Sequence, residues 1–195
     1  MSKCNGHLYF AKTNYIGYLI FAGLLASLLT LIPASLQAKP TMSELQTPKG
    51  ILSMPGNAAP AFKLKDMDGK LFDSKSLRGQ WSFIHFWASW CGPCRKELPA
   101  IEKLTQAFKG TSLKIVLINT AETEDIVFNF FGTISVNLDT LLDTDGQATE
   151  QWKPRGLPST FLVDPKGKIR YLVIGGRPWH TPTYQKFLRA LISVK

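Results

Sequence analysis

Short, nearly continuous apolar runs alternate along this chain with segments in which apolar residues recur every three or four positions. Residues 81–88 and 113–118 form two such runs, a pattern typical of central strands that helices cover on both faces. Between them lies a segment whose apolar residues follow helical spacing, namely Leu98, Ile101, Leu104 and Phe108. The pattern therefore predicts an amphipathic helix between two buried strands.

The rest of the body adds a hairpin near each end and three further helices. One hairpin pairs residues 61–65 with 70–73, and the other pairs residues 159–163 with 169–174 across an Asp-Pro-Lys-Gly turn. Helices are predicted over residues 122–131, 146–152 and 181–194. This order of elements predicts an α/β fold with a mixed central sheet flanked by helices.

The first 38 residues predict an N-terminal signal peptide or membrane anchor helix. Residues 1–15 are polar and carry Lys3 and Lys12, and residues 16–32 form an uncharged apolar run. As a helix this run spans about 26 Å, which lies between a signal-peptide core and a full membrane crossing, so cleavage and anchoring both stay open. Either outcome places the body on the periplasmic side of the membrane.

Residues 39–60 predict a linker, because they are rich in small and turn-forming residues and lack apolar periodicity. Residues 61–195 are long enough for one domain with its own core. Without residues 1–38, 21 basic and 14 acidic residues remain, a net charge of +7. Because Lys and Arg are dispersed and no nucleic-acid motif is present, we expect a solvated basic surface that could face anionic lipid or acidic partners.

Two cysteines lie where the first buried strand gives way to the helix, in Trp90-Cys91-Gly92-Pro93-Cys94. A thiolate at a helix N-terminus is stabilised by free N–H groups and the helix dipole, so Cys91 is the predicted attacking sulfur. Cys94, about one turn further on, is the predicted resolving sulfur. Gly92 keeps the approach open, and Pro93 fits the first helical turn. The pattern indicates a dithiol/disulfide active site.

Two separated segments carry a family resemblance. Residues 86–99, FWASWCGPCRKELP, resemble the active-site segment of the thioredoxin superfamily, and the RKELP continuation resembles its TlpA/ResA-like branch of exported bacterial thiol-disulfide oxidoreductases. Residues 156–164, GLPSTFLVD, are similar to the family's cis-proline segment, and the similarity runs from about Pro55 to the C-terminus. It implies a thioredoxin-like fold, no cofactor, and a cis Pro158 beside the disulfide, with Leu157 placed to pair with an extended substrate.

The resemblance also implies a function and the residues that handle protons. It favours a reductase of disulfides in exported proteins, of cytochrome c maturation or metallochaperone type, supplied with electrons by a membrane thiol donor. Glu122 resembles an acidic residue proposed to exchange a proton with the resolving cysteine, and the alternative is a first-turn Glu that stabilises a helix dipole. His85 stands where TlpA-like proteins commonly have Asn, so it is either a relay beneath the active site or a hydrogen-bonded core residue.

Other chemistries compete for the same residues. A copper-binding module of the thioredoxin fold would use Cys91, Cys94 and a histidine such as His85 or His180, although such modules resemble Cys-x-x-x-Cys. A zinc site needs a second ligand pair, and the only other cysteine is Cys4. A thiol peroxidase is expected to carry Pro-x-x-x-Thr-x-x-Cys, which the sequence lacks.

Three tryptophans could shape the substrate groove. Trp90 adjoins the cysteines, and Trp179 lies in the loop over residues 175–180, where we expect it to contact partner proteins. Trp87, inside the apolar run, is predicted to belong to the core.

Overall fold

The structure, a computed structural model, describes residues 45–194. The predicted signal or anchor helix lies outside the described residues, as does the start of the predicted linker. Among residues 45–194, no helix combines the length and the apolar character that crossing a membrane requires.

One mixed sheet of eight strands organises the described part of the chain. In chain order the strands are β1 Ile51–Ser53, β2 Lys63–Asp66, β3 Leu71–Asp73, β4 Trp81–Trp87, β5 Leu113–Thr120, β6 Leu141–Asp143, β7 Ser159–Val163 and β8 Ile169–Ile174. They are arranged in the sheet as β1-β8-β7-β4-β5-β6-β2-β3. Strands β4, β5 and β6 are parallel, whereas β7 runs antiparallel to β4. The predicted mixed sheet and both predicted hairpins are confirmed.

Four α-helices and one short 3-10 helix cover this sheet in the described residues. The α-helices are α1 Gly92–Ala107, α2 Glu124–Thr133, α3 Gln147–Trp152 and α4 Pro182–Ser193, and the 3-10 helix is Ser74–Leu77. Helices α2, α3 and α4 lie within two residues of their predicted bounds, and α1 is the predicted amphipathic helix between β4 and β5. The largest shift is at α2, which begins at Glu124 because Ala121 has a φ of 55° and Thr123 is extended.

Strand β4 separates two apolar cores because all seven of its residues are buried. On one face Phe83 and Trp87 pack in a core that also holds Leu98 and Leu188, from α1 and α4. On the other face Ile84 and Phe86 join a second core. Burial on both faces explains why this strand reads as a continuous apolar run.

The same strand sets the position of the functional residues. Phe86 pairs with Ser159 at the start of β7, and Trp87 pairs with Asn119 near the end of β5. The chain leaves β4 directly into the turn that carries Cys91. The segments after β4 and β5 and the segment before β7 therefore meet at one edge of the sheet.

Two strands differ from the sequence-based expectation. Ile51–Ser53, inside the predicted linker, pairs as an edge strand with β8, because Ile51 is buried in the core opposite Val173. Strand β6 was not predicted and adds to β5 through the pair Ile118 and Leu141. Each strand has only three residues, too few to show an alternating pattern.

Candidate active site

Cys91 and Cys94 form a disulfide at the start of α1, with an S–S distance of 2.05 Å and a Cα–Cα distance of 5.2 Å. Cys91 caps the helix, and its Sγ accepts a hydrogen bond from the Cys94 N–H at 3.2 Å. Pro93 lies in the first turn, where the missing N–H has no helical partner. The prediction that the two sulfurs lie close enough to join is confirmed.

The two sulfurs differ in access. Cys91 retains 5% of its surface, whereas Cys94 is fully buried. Gly92 and Pro93 between them are exposed, and Trp90 beside them is 69% exposed. An approaching protein therefore reaches Cys91 first, as the predicted division of roles requires.

The Leu157–Pro158 peptide bond is cis, as the resemblance implies. The Pro158 carbonyl accepts from the Gly175 N–H at 2.8 Å, which ties the segment to the loop after β8. Among the hydrogen bonds of residues 45–194, none uses the main-chain N–H or C=O of Leu157. Leu157 thus keeps a free donor and acceptor at the sheet edge that carries Cys91.

Glu122 forms hydrogen bonds to the turn that precedes the cysteines. Its carboxylate accepts from the Ser89 N–H at 2.7 Å, from the Ser89 hydroxyl, and from Asn119 Nδ2 at 2.7 Å. The side chain is buried, and α2 begins only at Glu124. The alternative role as a first-turn Glu is therefore wrong, because the helix starts two residues later. Glu122 links the end of β5 to a turn two residues before Cys91.

His85 is fully buried on the face of β4 that packs against α1. Its Nδ1 lies 2.9 Å from the Thr160 hydroxyl, which confirms that it is a hydrogen-bonded core residue. Burial disfavours the imidazolium and lowers the pKa of His85 to about 3. The relay role stays a prediction.

Glu97 is a site residue that the sequence analysis missed. It lies one helical turn after Cys94 and is buried, and its Oε1 accepts from the Arg177 N–H at 2.8 Å and from the Trp179 indole N–H. Burial raises the pKa of Glu97 to about 7 against the lowering effect of these bonds. Its Oε2 lies 3.7 Å from His85 Nε2. Because burial holds His85 neutral, this contact is not an ion pair at neutral pH.

The position of Glu97 on its helix is the sequence feature from which its burial could have been predicted. Positions 94, 97, 98 and 101 form one face of α1, and Glu97 is the one charged residue on it. A carboxyl group on a buried helix face next to a resolving cysteine is a candidate functional group.

Trp179 is not the surface contact we expected. It is fully buried, with its ring edge against Phe83 at a centroid distance of 4.8 Å and against Tyr184 at 5.2 Å. The prediction is wrong because Glu97 supplies a buried acceptor for the indole N–H, which allows the whole ring into the core. Trp87 is buried as predicted, and its indole donates to Thr140 at 3.0 Å.

The residues of the copper alternative are spread over the fold. His85 is buried on β4, whereas His180 is exposed at the end of the loop after β8. Within residues 45–194, no three side chains of His, Cys, Asp or Glu come close enough together to hold a metal ion.

The chain is similar to known redox proteins over the part that carries this site. The sequence model of the AhpC/TSA family matches residues 55–172. The thiol-disulfide oxidoreductase ResA of Bacillus subtilis (strain 168) is 38% identical over 120 residues, which cover 62% of this chain and 67% of that protein.

Solved structures are also similar to this chain. A putative thiol:disulfide interchange protein DsbE from Chlorobium tepidum superposes with a TM-score of 0.62 at 29% identity, over 72% of this chain and 99% of its own. StoA from Bacillus subtilis gives a TM-score of 0.55 at 29% identity, over 61% of this chain and 90% of its own. The span matched by the family includes Cys91, Cys94 and Pro158.

Proposed function

The chain belongs to the AhpC/TSA family, has a thioredoxin-like fold and is a thiol-disulfide oxidoreductase, and from that premise we propose that it is an exported reductase of disulfides in partner proteins. One observation carries this proposal. The disulfide joins a helix-capping, slightly exposed Cys91 to a fully buried Cys94. This asymmetry suits attack by the first sulfur and resolution by the second.

The reaction starts from the reduced pair. The Cys91 thiolate attacks one sulfur of the client disulfide, so that a mixed disulfide forms and the other client sulfur leaves as a thiolate and takes up a proton. The Cys94 thiolate then attacks Cys91, which breaks the mixed disulfide and releases the second client thiol. Two electrons and two protons pass to the client, and the protein is left with the Cys91–Cys94 disulfide.

Leu157 is the proposed docking point for the client backbone. Its unpartnered N–H and C=O lie two residues before Ser159, which pairs with Phe86 at the end of β4 that leads to Cys91. An extended client segment can pair with both groups, and Trp90, Gly92 and Pro93 supply the exposed surface around its cysteine.

Cys94 must lose a proton before it attacks, and we propose two acceptors, Glu122 and the pair formed by His85 and Glu97. Glu122 lies at the turn before Cys91, where it already accepts three hydrogen bonds. His85 alone is a weak acceptor because its pKa is about 3, whereas Glu97 has a pKa of about 7. We therefore assign the His85 relay to the pair, in which Glu97 takes the proton near neutral pH.

We propose the cellular setting from the resemblance to the TlpA/ResA-like branch. In this proposal residues 1–38 export the protein or anchor it on the periplasmic side of the bacterial inner membrane. Residues 39–60, which include β1, connect this segment to the thioredoxin-like domain over residues 61–195. Clients are exported proteins of the cytochrome c maturation or metallochaperone type. A membrane thiol donor returns two electrons and two protons to the Cys91–Cys94 disulfide, with no further cofactor.

Covalent trapping tests this function. Cys94→Ser should accumulate mixed disulfides with exported proteins, because nothing resolves the adduct at Cys91, and mass spectrometry identifies the partners. The reduced wild-type protein should reduce the disulfides of insulin, and Cys91→Ser should not. If Cys91→Ser reduced insulin as fast as the wild type, the proposed function would be lost.

A further inference from the structure

Exposed cations flank both chain segments that form the site. Arg95 and Lys96 directly follow Cys94, and Lys153 and Arg155 precede the cis Pro158; all four are exposed. Arg155 is three residues from Pro158, so their Cα atoms are at most about 11 Å apart. The three ion pairs within residues 45–194 use none of these four side chains. The Arg95 guanidinium lies 5.7 Å from the centroid of the Phe130 ring in α2, so the exposed charges of Lys96, Lys153 and Arg155 are the ones left to face a client.

The two buried carboxylates of the site do not offset these charges at the surface. Glu97 and Glu122 are both buried, and each turns its oxygens inward, toward the Arg177 and Trp179 N–H groups and toward Ser89 and Asn119 respectively. A client that docks on the surface meets Arg155 and Lys96 rather than these acids.

Exposed acids lie on both sides of the site. On the Leu157 side, the exposed Glu150 lies five residues before Arg155 and is outnumbered by Lys153 and Arg155. Glu124 and Asp125 begin α2, which follows β5, whereas Arg155 precedes β7. In the sheet β5 and β7 flank β4 on opposite sides. Positive charge is therefore in excess toward Leu157, and negative charge is in excess toward α2, where Arg95 lies over Phe130. A client segment that pairs with Leu157 crosses the basic side.

We infer that the clients carry acidic side chains within a few residues of the cysteine that Cys91 attacks, on the part of the segment that crosses Arg155. This inference rests on the proposed function and specifies its substrate class. Charges at the border of a docking surface act mainly on the association rate and are screened over about 8 Å at physiological salt. The preference should therefore appear as a salt-dependent rate.

Three disulfide-bridged fluorogenic peptides test the inference. They share one sequence except at the two residues on each side of the cysteine, which are Asp, Ser or Lys. Reduction of each by the pre-reduced full-length protein is followed at low and at high ionic strength. We expect the acidic peptide to be reduced roughly threefold to tenfold faster than the neutral one at low salt, the basic peptide to be slowest, and the differences to shrink in high salt.

A pair of charge reversals locates the effect. Arg155→Glu should reduce the acidic-to-neutral rate ratio at least threefold. Lys114→Glu changes the net charge equally, but Lys114 pairs with Ser82 at the far end of β4, so its ratio should stay at the wild-type value. Equal rates for the three peptides, or equal effects of both variants, would overturn the inference while leaving the reductase function intact. If no peptide were reduced, the proposed function would fail and this inference with it.

Discussion

His85 Nε2 and Glu97 Oε2 face each other at 3.7 Å inside the protein, and neither atom has a hydrogen-bond partner among the described residues. Burial favours the uncharged form of both side chains, since it lowers the pKa of His85 to about 3 and raises that of Glu97 to about 7. At neutral pH the pair is therefore a neutral imidazole beside a partly protonated carboxyl group.

In the wild type, ionisation of the buried Glu97 should lower the free energy of unfolding as the pH rises, and Glu97→Gln is expected to abolish this decrease. The carboxyl group ionises near pH 4.5 in the unfolded chain and near 7 in the folded protein, so the folded state binds the extra proton between these values. The free energy of unfolding should fall across this window, by up to about 3 kcal/mol above pH 7. Gln keeps an oxygen for the Arg177 and Trp179 N–H groups but does not ionise.

Urea unfolding of the oxidised protein at pH 5 and pH 8 measures this difference. The stability of Glu97→Gln relative to the wild type should increase from pH 5 to pH 8. Glu124→Gln, at an exposed position, is the matched control and should follow the wild type at both values. A wild-type pH dependence in Glu97→Gln would show that Glu97 does not carry the effect.

His85→Asn is expected to reduce the loss of stability that the wild type shows as the pH falls below 7. The unfolded chain binds a proton at His85 near pH 6.5, whereas the folded protein does so only near pH 3. Stability due to a neutral His85 is therefore present above pH 6.5 and is lost as the pH falls, by about 2 kcal/mol at pH 5. Between pH 7 and pH 5, His85→Asn should lose less stability than the wild type. His180→Asn, at an exposed position, is the control and should lose as much stability as the wild type.

Trp179→Phe is expected to move the titration of Glu97 upward. The indole N–H donates to Glu97 and lowers its pKa, while Phe keeps most of the ring packing against Phe83. Loss of the donor should raise the midpoint of the pH-dependent stability change and cost about 1–3 kcal/mol at pH 8, where the carboxylate is ionised. Unfolding curves at closely spaced pH values locate the midpoint, and an unchanged midpoint would contradict the role of this bond.

Alkylation should separate the two sulfurs of the reduced protein. Cys91 caps a helix and is slightly exposed, whereas Cys94 is fully buried. We expect iodoacetamide to modify Cys91 more than tenfold faster, with an apparent pKa below the usual value of about 8.5. Peptide mass spectrometry distinguishes both sites from Cys4. Faster modification of Cys94 would reverse the proposed roles.

Gly50→Ala tests whether the close contact between Gly50 and the Arg177 side chain contributes to stability. Gly50 has a φ of 87°, and a Cβ there would lie 2.5 Å from the Arg177 guanidinium, which donates to the Gly176 carbonyl at 2.8 Å. Gly69 also has a positive φ, but nothing lies within 4 Å of its Cβ position. Gly69→Ala should cost about 1 kcal/mol through backbone strain, and Gly50→Ala about 1 kcal/mol more through the displaced Arg177. Equal losses in urea unfolding would show that Arg177 moves freely.

The sequence was sufficient where one local pattern decides the structure. Nearly continuous apolar runs identified β4 and β5, turn residues identified the hairpins, and the spacing of Cys91 and Cys94 indicated the disulfide. Each of these features depends on residues that lie close together in the chain.

The buried polar cluster could not be predicted in this way. Glu97 is buried because N–H groups of Arg177 and Trp179, about 80 residues later, satisfy its carboxylate. A charged residue and a loop tryptophan are each expected at the surface when considered alone. Only the long-range pairing of the two explains why both lie inside, and it also explains the wrong prediction for Trp179.

The exposed indole beside the disulfide gives the protein an optical probe of its own. Of the five tryptophans, four are buried and Trp90 alone is largely exposed, one residue before Cys91. Its fluorescence is therefore the solvent-facing part of the emission, and it should shift to shorter wavelength when a docked protein covers the ring. Spectroscopy of the unlabelled protein can thus follow client arrival.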